Sequence, residues 1–226
     1  MLTQIIIGLV IVIVIYLLYK AFSGSSDSVL VGMHSAKTEQ MISASSLPGS
    51  DNTSLWSYSI WFAVEDWNYQ FDESKILFTR IDTQGNVGPE VKFGAVDNSI
   101  SVSLATYAGD TQACTINNVP LQKWVNLIVV LNNRALDLYL DGKLVRTCVL
   151  DGVAKIAQGA PVYLTPGGGF SGSTTQFRYF DYPINPRQAY EIYREGYGAS
   201  SLSFFDKYRI KLAFVKDNKE VGSLEI

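Results

Sequence analysis

Histidine and cysteine are scarce in this chain of 226 residues, which holds one histidine, His34, and two cysteines, Cys114 and Cys148. The histidine sits in a polar, Ser-rich stretch ahead of the patterned region, so the patterned region has no imidazole to act as base in a serine or cysteine triad. Two cysteines are too few for a disulfide-built scaffold and show no metal-ligand spacing. They read equally as one bridge or as two buried thiols, and the sequence does not choose between them. Charge is sparse as well: 17% of residues are charged and the net charge is −3, so there is no basic footprint for nucleic acid.

Tyrosine (13) and glycine (18) are plentiful, which suits many short strands joined by turns. Ile5 to Tyr19 form fifteen residues without a charge. At about 1.5 Å rise per residue that run is short for a ~30 Å hydrocarbon core, and flanking residues with a snorkelling Lys20 extend it to a span. β-branched residues dominate it, yet a lone segment in lipid must satisfy its backbone internally and is therefore helical. Ile5, Ile11 and Ile15 supply the apolar surface, and Tyr19 falls near the interface with Lys20. Ala21-Phe22-Ser23 resembles a cleavage site, but no Lys or Arg precedes the run as a signal peptide requires. An anchor over 1–22 is expected. Lys20, on its carboxyl side, places the following domain on the cytosolic face by the positive-inside rule. Asn52-Thr53-Ser54 is a glycosylation sequon, with Asn52 as acceptor if the domain is lumenal.

Residues 23–37, opening SGSSDS, read as a flexible linker. Beyond them strand patterns recur. Ser57–Val64 alternates small or polar with large residues, Lys75–Arg80 follows, and Val91–Phe93 and Ile100–Leu104 flank the turn signal Asp97-Asn98. Trp124–Leu131 is a near-continuous apolar run, the mark of a strand buried on both faces. Leu136–Leu140, Asp141-Gly142 and Lys143–Arg146 read as a hairpin with a type I′ turn, whose two central residues must accept positive φ. Phe177–Phe180 and the alternating Tyr208, Ile210, Leu212 and Phe214 are further strands. One helix stands out: Asn185 as N-cap, Pro186 at the first helical position, Gln188 to close a capping box, and Gly196 as terminator, with Ala189, Ile192 and Tyr193 on one apolar face. Many strands and one short helix predict a β-sandwich or jelly roll.

Four segments in order, YSIWFAV (58–64), PLQKWVNLIVVLNNRALDLYLDGKLVRT (120–147), GGGFSGSTTQFRYF (167–180) and INPRQAYEIYREG (184–196), resemble the laminin-G-like, concanavalin A-like lectin/glucanase superfamily. The family shows an early-strand Trp, a Trp before an apolar strand, a Y-x-D-G-K hairpin and an F-x-G turn. Trp61, Trp124, Tyr139–Lys143 and Phe170-Ser171-Gly172 occupy those places. The resemblance implies an all-β, concanavalin A-like jelly-roll β-sandwich with one short helix, over 38–200. A single N-terminal transmembrane helix precedes it, and 201–226 supply strands that complete or extend the sandwich. The short anchor, EDWNYQF (65–71) and NRALDLYLDGKLVRTC (133–148) look like membrane-anchored versions encoded by large double-stranded DNA viruses of the chlorella-virus type. Such a likeness implies a minor capsid or membrane component of a virion, linking internal membrane to capsid shell.

The chemistry available is that of binding. β-Glucanases need two carboxylates on alternate residues of one strand, facing one cleft. Glu65 and Asp66 are adjacent, as are Asp72 and Glu73, so a strand would send them to opposite faces, and the family's E-x-D-x-x-E pattern is missing. An enzyme is not expected. The loop carboxylates Asp97, Asp110, Asp141 and Asp151 invite calcium, but each reads better as a turn former, and no cofactor is required. Gly167-Gly168-Gly169 has no following Lys-Ser/Thr and reads as a turn rather than a phosphate loop. Trp67, Asn68 and Tyr69, in the loop after the first long strand, are the candidate contacts for a glycan or a partner protein. Trp61 and Trp124, within strands, are expected in the core. The expected partners are a lipid bilayer and other capsid or membrane proteins, with glycans as the alternative.

Overall fold

The computed structural model describes residues 29–49 and 54–198, together with the backbone of 211–216 and 219–225. The anchor residues Ile5, Ile11, Ile15, Tyr19 and Lys20, and the Asn52 sequon, lie outside these residues. Among the described residues no helix is long and apolar enough to cross a membrane.

One unit runs from Asp27 to Tyr197. Its strands form two six-stranded antiparallel sheets, as an alternating apolar pattern without long helices requires. The first sheet has the order β1 (His34–Ser35), β12 (Ser171–Phe180), β3 (Leu55–Asp66), β8 (Trp124–Asn132), β9 (Ala135–Leu140) and β10 (Lys143–Val149). The second has the order β2 (Gln40–Ile42), β11 (Val162–Leu164), β4 (Ile76–Ile81), β5 (Val87–Phe93), β6 (Ile100–Ala105) and β7 (Thr111–Ile116). Residues 29–37, read from sequence as the end of the linker, are built into the sandwich instead. Val31 bridges to Phe177, His34 pairs with Thr174, and Ala36 is fully buried. His34 is correspondingly not a solvated linker residue: its ring bonds to Gln40 Nε2 (3.0 Å) and the Thr38 carbonyl (2.6 Å). The carboxyl-terminal strands β13 (Lys211–Lys216) and β14 (Lys219–Glu225) pair with each other in a two-stranded sheet of their own.

The inner faces of the two sheets meet over Trp56, Tyr58, Ile60, Phe62 and Val64 of β3, Leu127, Val129 and Leu131 of β8, and Phe78, Val91, Val102 and Leu104 opposite. Full burial of an aliphatic or aromatic side chain of this size contributes roughly 1.5–3 kcal/mol. Tyr58 is the hub, with ring centroids 5.0, 5.4, 5.9 and 5.1 Å from Trp56, Phe78, Phe177 and Tyr179. Burial pushes its hydroxyl pKa far above the usual tyrosine value, with Arg80 only partly offsetting the effect.

The alternation that turns the even residues of β3 inward turns the odd ones outward, and these are buried too. The cause is α1 (Pro186–Glu195). Its capping box is complete: Asn185 Oδ1 accepts from Gln188 N (3.0 Å), and Gln188 Oε1 accepts from Asn185 N (2.9 Å). Ala189 and Ile192 face down onto Ile128, Val130, Tyr139, Phe180 and Ile184, a second apolar layer outside the sandwich. Ser57 Oγ donates to the Tyr182 carbonyl (2.9 Å) and accepts from Ile184 N (3.0 Å), latching the lead-in segment to β3. Arg178 Nη2 pairs with Glu195 Oε2 at 2.6 Å and pins the helix end. Trp61 and Trp124 therefore do not join the core between the sheets. Trp61 stacks beneath Tyr193 (5.7 Å, 18°), while Trp124 is half-buried and lies flat against Tyr197 (4.7 Å, 9°).

The β9–β10 turn ends under this helix. Asp141 and Gly142 have φ of 49° and 72°, and Leu140 pairs with Lys143, so the turn is two residues of left-handed backbone. A Cβ on Gly142 would sit 2.9 Å from Tyr193 Cβ and 3.1 Å from Tyr190 Cα. On the same flank Cys114 of β7 and Cys148 of β10 form a disulfide, Cα to Cα 6.0 Å, across the edge strands of the two sheets. A bridge closing a 34-residue separation contributes about 3–4 kcal/mol by chain-entropy accounting.

Gly142→Ala adds a clash to a strained φ and is expected to lower the unfolding free energy by about 2–4 kcal/mol. Gly159→Ala, at φ +66° with no atom within 4 Å of a new Cβ, should lose only about 1 kcal/mol. Urea unfolding of both variants checks the difference.

Candidate functional site

The loop singled out from sequence leaves β3 at Asp66, whose Oδ1 accepts from Asn68 N (2.9 Å) and sets the turn. Trp67 then leans back: its ring stands edge-on to Phe93 (6.0 Å, 88°), and Lys75 Nζ lies 4.6 Å over it. Lys75 is 1% exposed and its ammonium reaches the Glu73 carbonyl at 3.5 Å, so burial lowers its pKa. Tyr69 carries Lys37 Nζ 4.7 Å over its ring, and Gln70 Nε2 donates to the Gly167 carbonyl (3.2 Å). Trp67 is thus packed against the core and capped by a cation, Tyr69 is half-covered, and Asn68 alone of the three is exposed.

A better-formed concavity lies at the far end of the second sheet. Three connections meet there: 82–86 between β4 and β5, Thr106–Asp110 between β6 and β7, and the segment after β10. Asp82, Thr83, Gln84, Asn86, Tyr107, Lys155, Ile156 and Gln158 line a cavity of about 520 Å³. The walls are fixed by main-chain bonds, Tyr107 N to Val153 O (3.0 Å) and Lys155 N to Ala105 O (2.8 Å). Gly152 lets the third segment approach closely, since a Cβ there would come within 2.7 Å of Ala108 Cβ. Gln112 Oε1 accepts from Asp151 N (2.8 Å), and the Gln112 amide donates back to the Asp151 carboxylate, which locks the same segment to β7.

Asp82 organises one wall. Oδ1 accepts from Gln84 N (2.9 Å) and Asn86 N (2.8 Å), and Oδ2 accepts from Asn86 Nδ2 (2.8 Å). Lys155 Nζ donates to Asn86 Oδ1 (3.0 Å). Partial burial raises the carboxyl's pKa, but these hydrogen bonds and the Lys155 charge outweigh it and hold it below the ordinary value. The cavity is therefore lined by a hydroxyl, amides, an ammonium and the hydrogen-bonded Asp82 carboxylate, with Ile156 as its aliphatic side chain and Tyr107, 70% exposed, beside them. Such a set hydrogen-bonds and stacks on a polar ligand. It holds no pair of free carboxylates and no base beside a nucleophile.

The sequence reading missed this cavity because its walls come from segments some seventy residues apart, such as Asn86 and Lys155. The local signals were there: the D-T-Q-G-N turn at 82–86 and a tyrosine followed by Ala-Gly-Asp at 108–110. Of the carboxylates weighed for calcium, Asp97 accepts from the Ser99 hydroxyl and amide, Asp141 from Asn126 N (3.0 Å), and Asp151 from Gln112. Among the described residues, no three His, Cys, Asp or Glu side chains converge.

Because the Asp82 pKa is depressed on folding, its contribution is present above the ordinary value of 3.8 and lost as pH falls through the lower folded value. The Gln84 and Asn86 amide proton resonances should titrate with a midpoint below 3.8. A midpoint at or above that value contradicts the hydrogen-bonded wall.

Among solved structures, the binding domain of botulinum neurotoxin serotype G is similar at 11% identity and TM-score 0.53, over 74% of this chain and 38% of that one. The receptor-binding domain of the mosaic serotype C/D neurotoxin is similar at 11% identity and TM-score 0.58, over 73% and 41%. The binding domain of neurotoxin DC, solved with rat synaptotagmin II, gives 13% identity and TM-score 0.53, over 63% and 35%. At such identities the likeness is one of fold, and this chain spans about two fifths of those structures' length. No curated protein matches. The profile of the concanavalin A-like lectin/glucanases superfamily, in a laminin G-type form, matches residues 36–189, the stretch that holds the start of α1 and every strand of the two sheets except β1, and the chain belongs to that superfamily.

Proposed function

We propose that this protein is a non-catalytic, membrane-tethered recognition module whose rim cavity binds a glycan. The observation that carries the reading is the preorganised polar cavity with exposed Tyr107 in its lining and Lys155 anchored on Asn86 in its wall. Aromatic and amide groups held by main-chain bonds meet a hydroxyl-rich ligand without the cost of ordering loops on binding. Structures of the same fold include the binding domain of neurotoxin DC in complex with SialylT and, separately, with synaptotagmin II, so this architecture serves recognition elsewhere.

The tether is the uncharged run Ile5–Tyr19, and the setting we propose is a virion in which the module links an internal membrane to the capsid shell. The viral likeness of 65–71 and 133–148 supports that setting, and Lys20 supports a cytosolic, shell-facing domain. The Cys114–Cys148 bridge weighs on the other side, since disulfides persist in oxidising compartments. Protease treatment of sealed membranes decides: digestion of the domain supports the shell-facing placement, and protection with a glycan on Asn52 overturns it.

For the cavity, full-length protein in detergent should bind members of a glycan array. Tyr107→Ala and Lys155→Ala should each weaken binding at least tenfold at unchanged melting temperature. Trp67→Ala should lower the melting temperature and leave glycan affinity in the folded fraction intact. Loss of binding in Trp67→Ala with none in Tyr107→Ala would move the site back to the 66–70 loop.

A further inference from the structure

The flank that carries the disulfide is open. β7 and β10 are the outermost strands of their sheets there, and between them lies a groove of about 380 Å³ lined by Ile116, Asn118, Pro120, Leu140, Val145 and Arg146, among others. β10 differs from the other long strands: every residue from Lys143 to Thr147, and Val149, is exposed, with Leu144, Val145 and Val149 at 50%, 45% and 70%. Its partner β9 satisfies one side of its backbone and nothing among the described residues pairs with the other. Exposed apolar edge strands are what folded proteins ordinarily cover, because their free N–H and C=O groups template pairing with another chain. A bulge between Leu144 and Arg146 limits the regular ladder to Arg146–Val149.

The charges on this edge specify the partner. Lys143 and Arg146 have no carboxylate partner among the described residues, whereas nearby Asp137 accepts from Thr147 Oγ1 (2.5 Å) and Asp141 is engaged by Asn126 N and Lys123. We propose that the β10 edge docks an extended, acidic segment of a partner protein. The segment adds as a further strand to the first sheet along Arg146–Val149, sets apolar side chains against Leu144, Val145 and Val149, and brings carboxylates to Lys143 and Arg146. A second copy of this chain fits poorly, since antiparallel self-pairing centred on Arg146 sets two guanidinium groups directly opposite each other. The disulfide holds β10 to the other sheet before binding, so little backbone order has to be supplied by the partner. This surface is independent of the rim cavity in residues and in ligand.

The test titrates a fluorescent ten-residue peptide alternating glutamate and valine into full-length protein in detergent and follows anisotropy. Binding is expected, weakened at least tenfold in three ways: with a lysine–valine peptide, with a glutamate–valine peptide N-methylated at alternate amides, and in the double variant Lys143→Glu/Arg146→Glu. The first two comparisons need no protein variant, so they hold even if the double variant misfolds. Hydrogen exchange should show new protection at residues 146–149 when the peptide is present. Failure to bind, equal binding of both charge types, or indifference to N-methylation overturns the proposal. So does a concentration-dependent dimer that protects 146–149 without peptide, which would make a second copy the occupant.

Discussion

The whole architecture depends on burying one strand from both sides. From Trp56 to Ala63, β3 exposes almost nothing. Its even-numbered side chains enter the space between the sheets, while Ser57, Ser59, Trp61 and Ala63 face outward under a cover that the sheet itself cannot supply. An antiparallel sheet can leave its outer face wet, and this one does not. The cover is the segment from Tyr182 to Tyr197, latched by Ser57, closed by the Arg178–Glu195 pair and floored by Gly142. Asn126, buried on the same face, donates to Ser59 Oγ (3.3 Å) and so ties β8 to β3 beneath the helix. Remove the cover, and the tryptophans and polar groups of that face meet water together.

Much of this was legible in the chain. The Asp141-Gly142 hairpin, the Asn185/Gln188 capping box and the strands flanking Asp97-Asn98 follow from local rules that need no tertiary information, and all three are present in the structure. Trp61 is buried as expected, but on the outer face of its sheet, and Trp124 is only half-buried, for a physical reason. A tryptophan in an apolar strand is equally consistent with either face once the outer one is covered, and periodicity cannot say that a segment as distant in sequence as Tyr193 and Tyr197 will do so. His34 and Ser35 were unreadable as sheet residues because β1 is two residues long and is defined by its partner rather than by its own pattern.

The candidate cavity was the least legible part, as function carried on loops tends to be. Asp82, Tyr107 and Lys155 are ordinary turn and surface residues in one dimension. They become a site only because the β4–β5 and β6–β7 connections reach one rim and the segment after β10 is bonded to Ala105 beside them. The loop around Trp67 had the better composition and the poorer geometry. Cation, core and glycine turn had already engaged its aromatic faces and amides.

The placement of the sandwich's edges has a mechanical consequence. The chain enters the domain through Leu30 and Val31, hydrogen-bonded to Phe177, and then the two residues of β1, at the edge opposite the disulfide. A force directed across the strand, away from the sheet, would load those few hydrogen bonds one after another, like a zipper. Force drawing Leu30 and Val31 off the sheet would therefore peel β1 and expose the margin of β12 ahead of the strands beyond it, giving the domain a compliant edge and, at the disulfide, a stiff one.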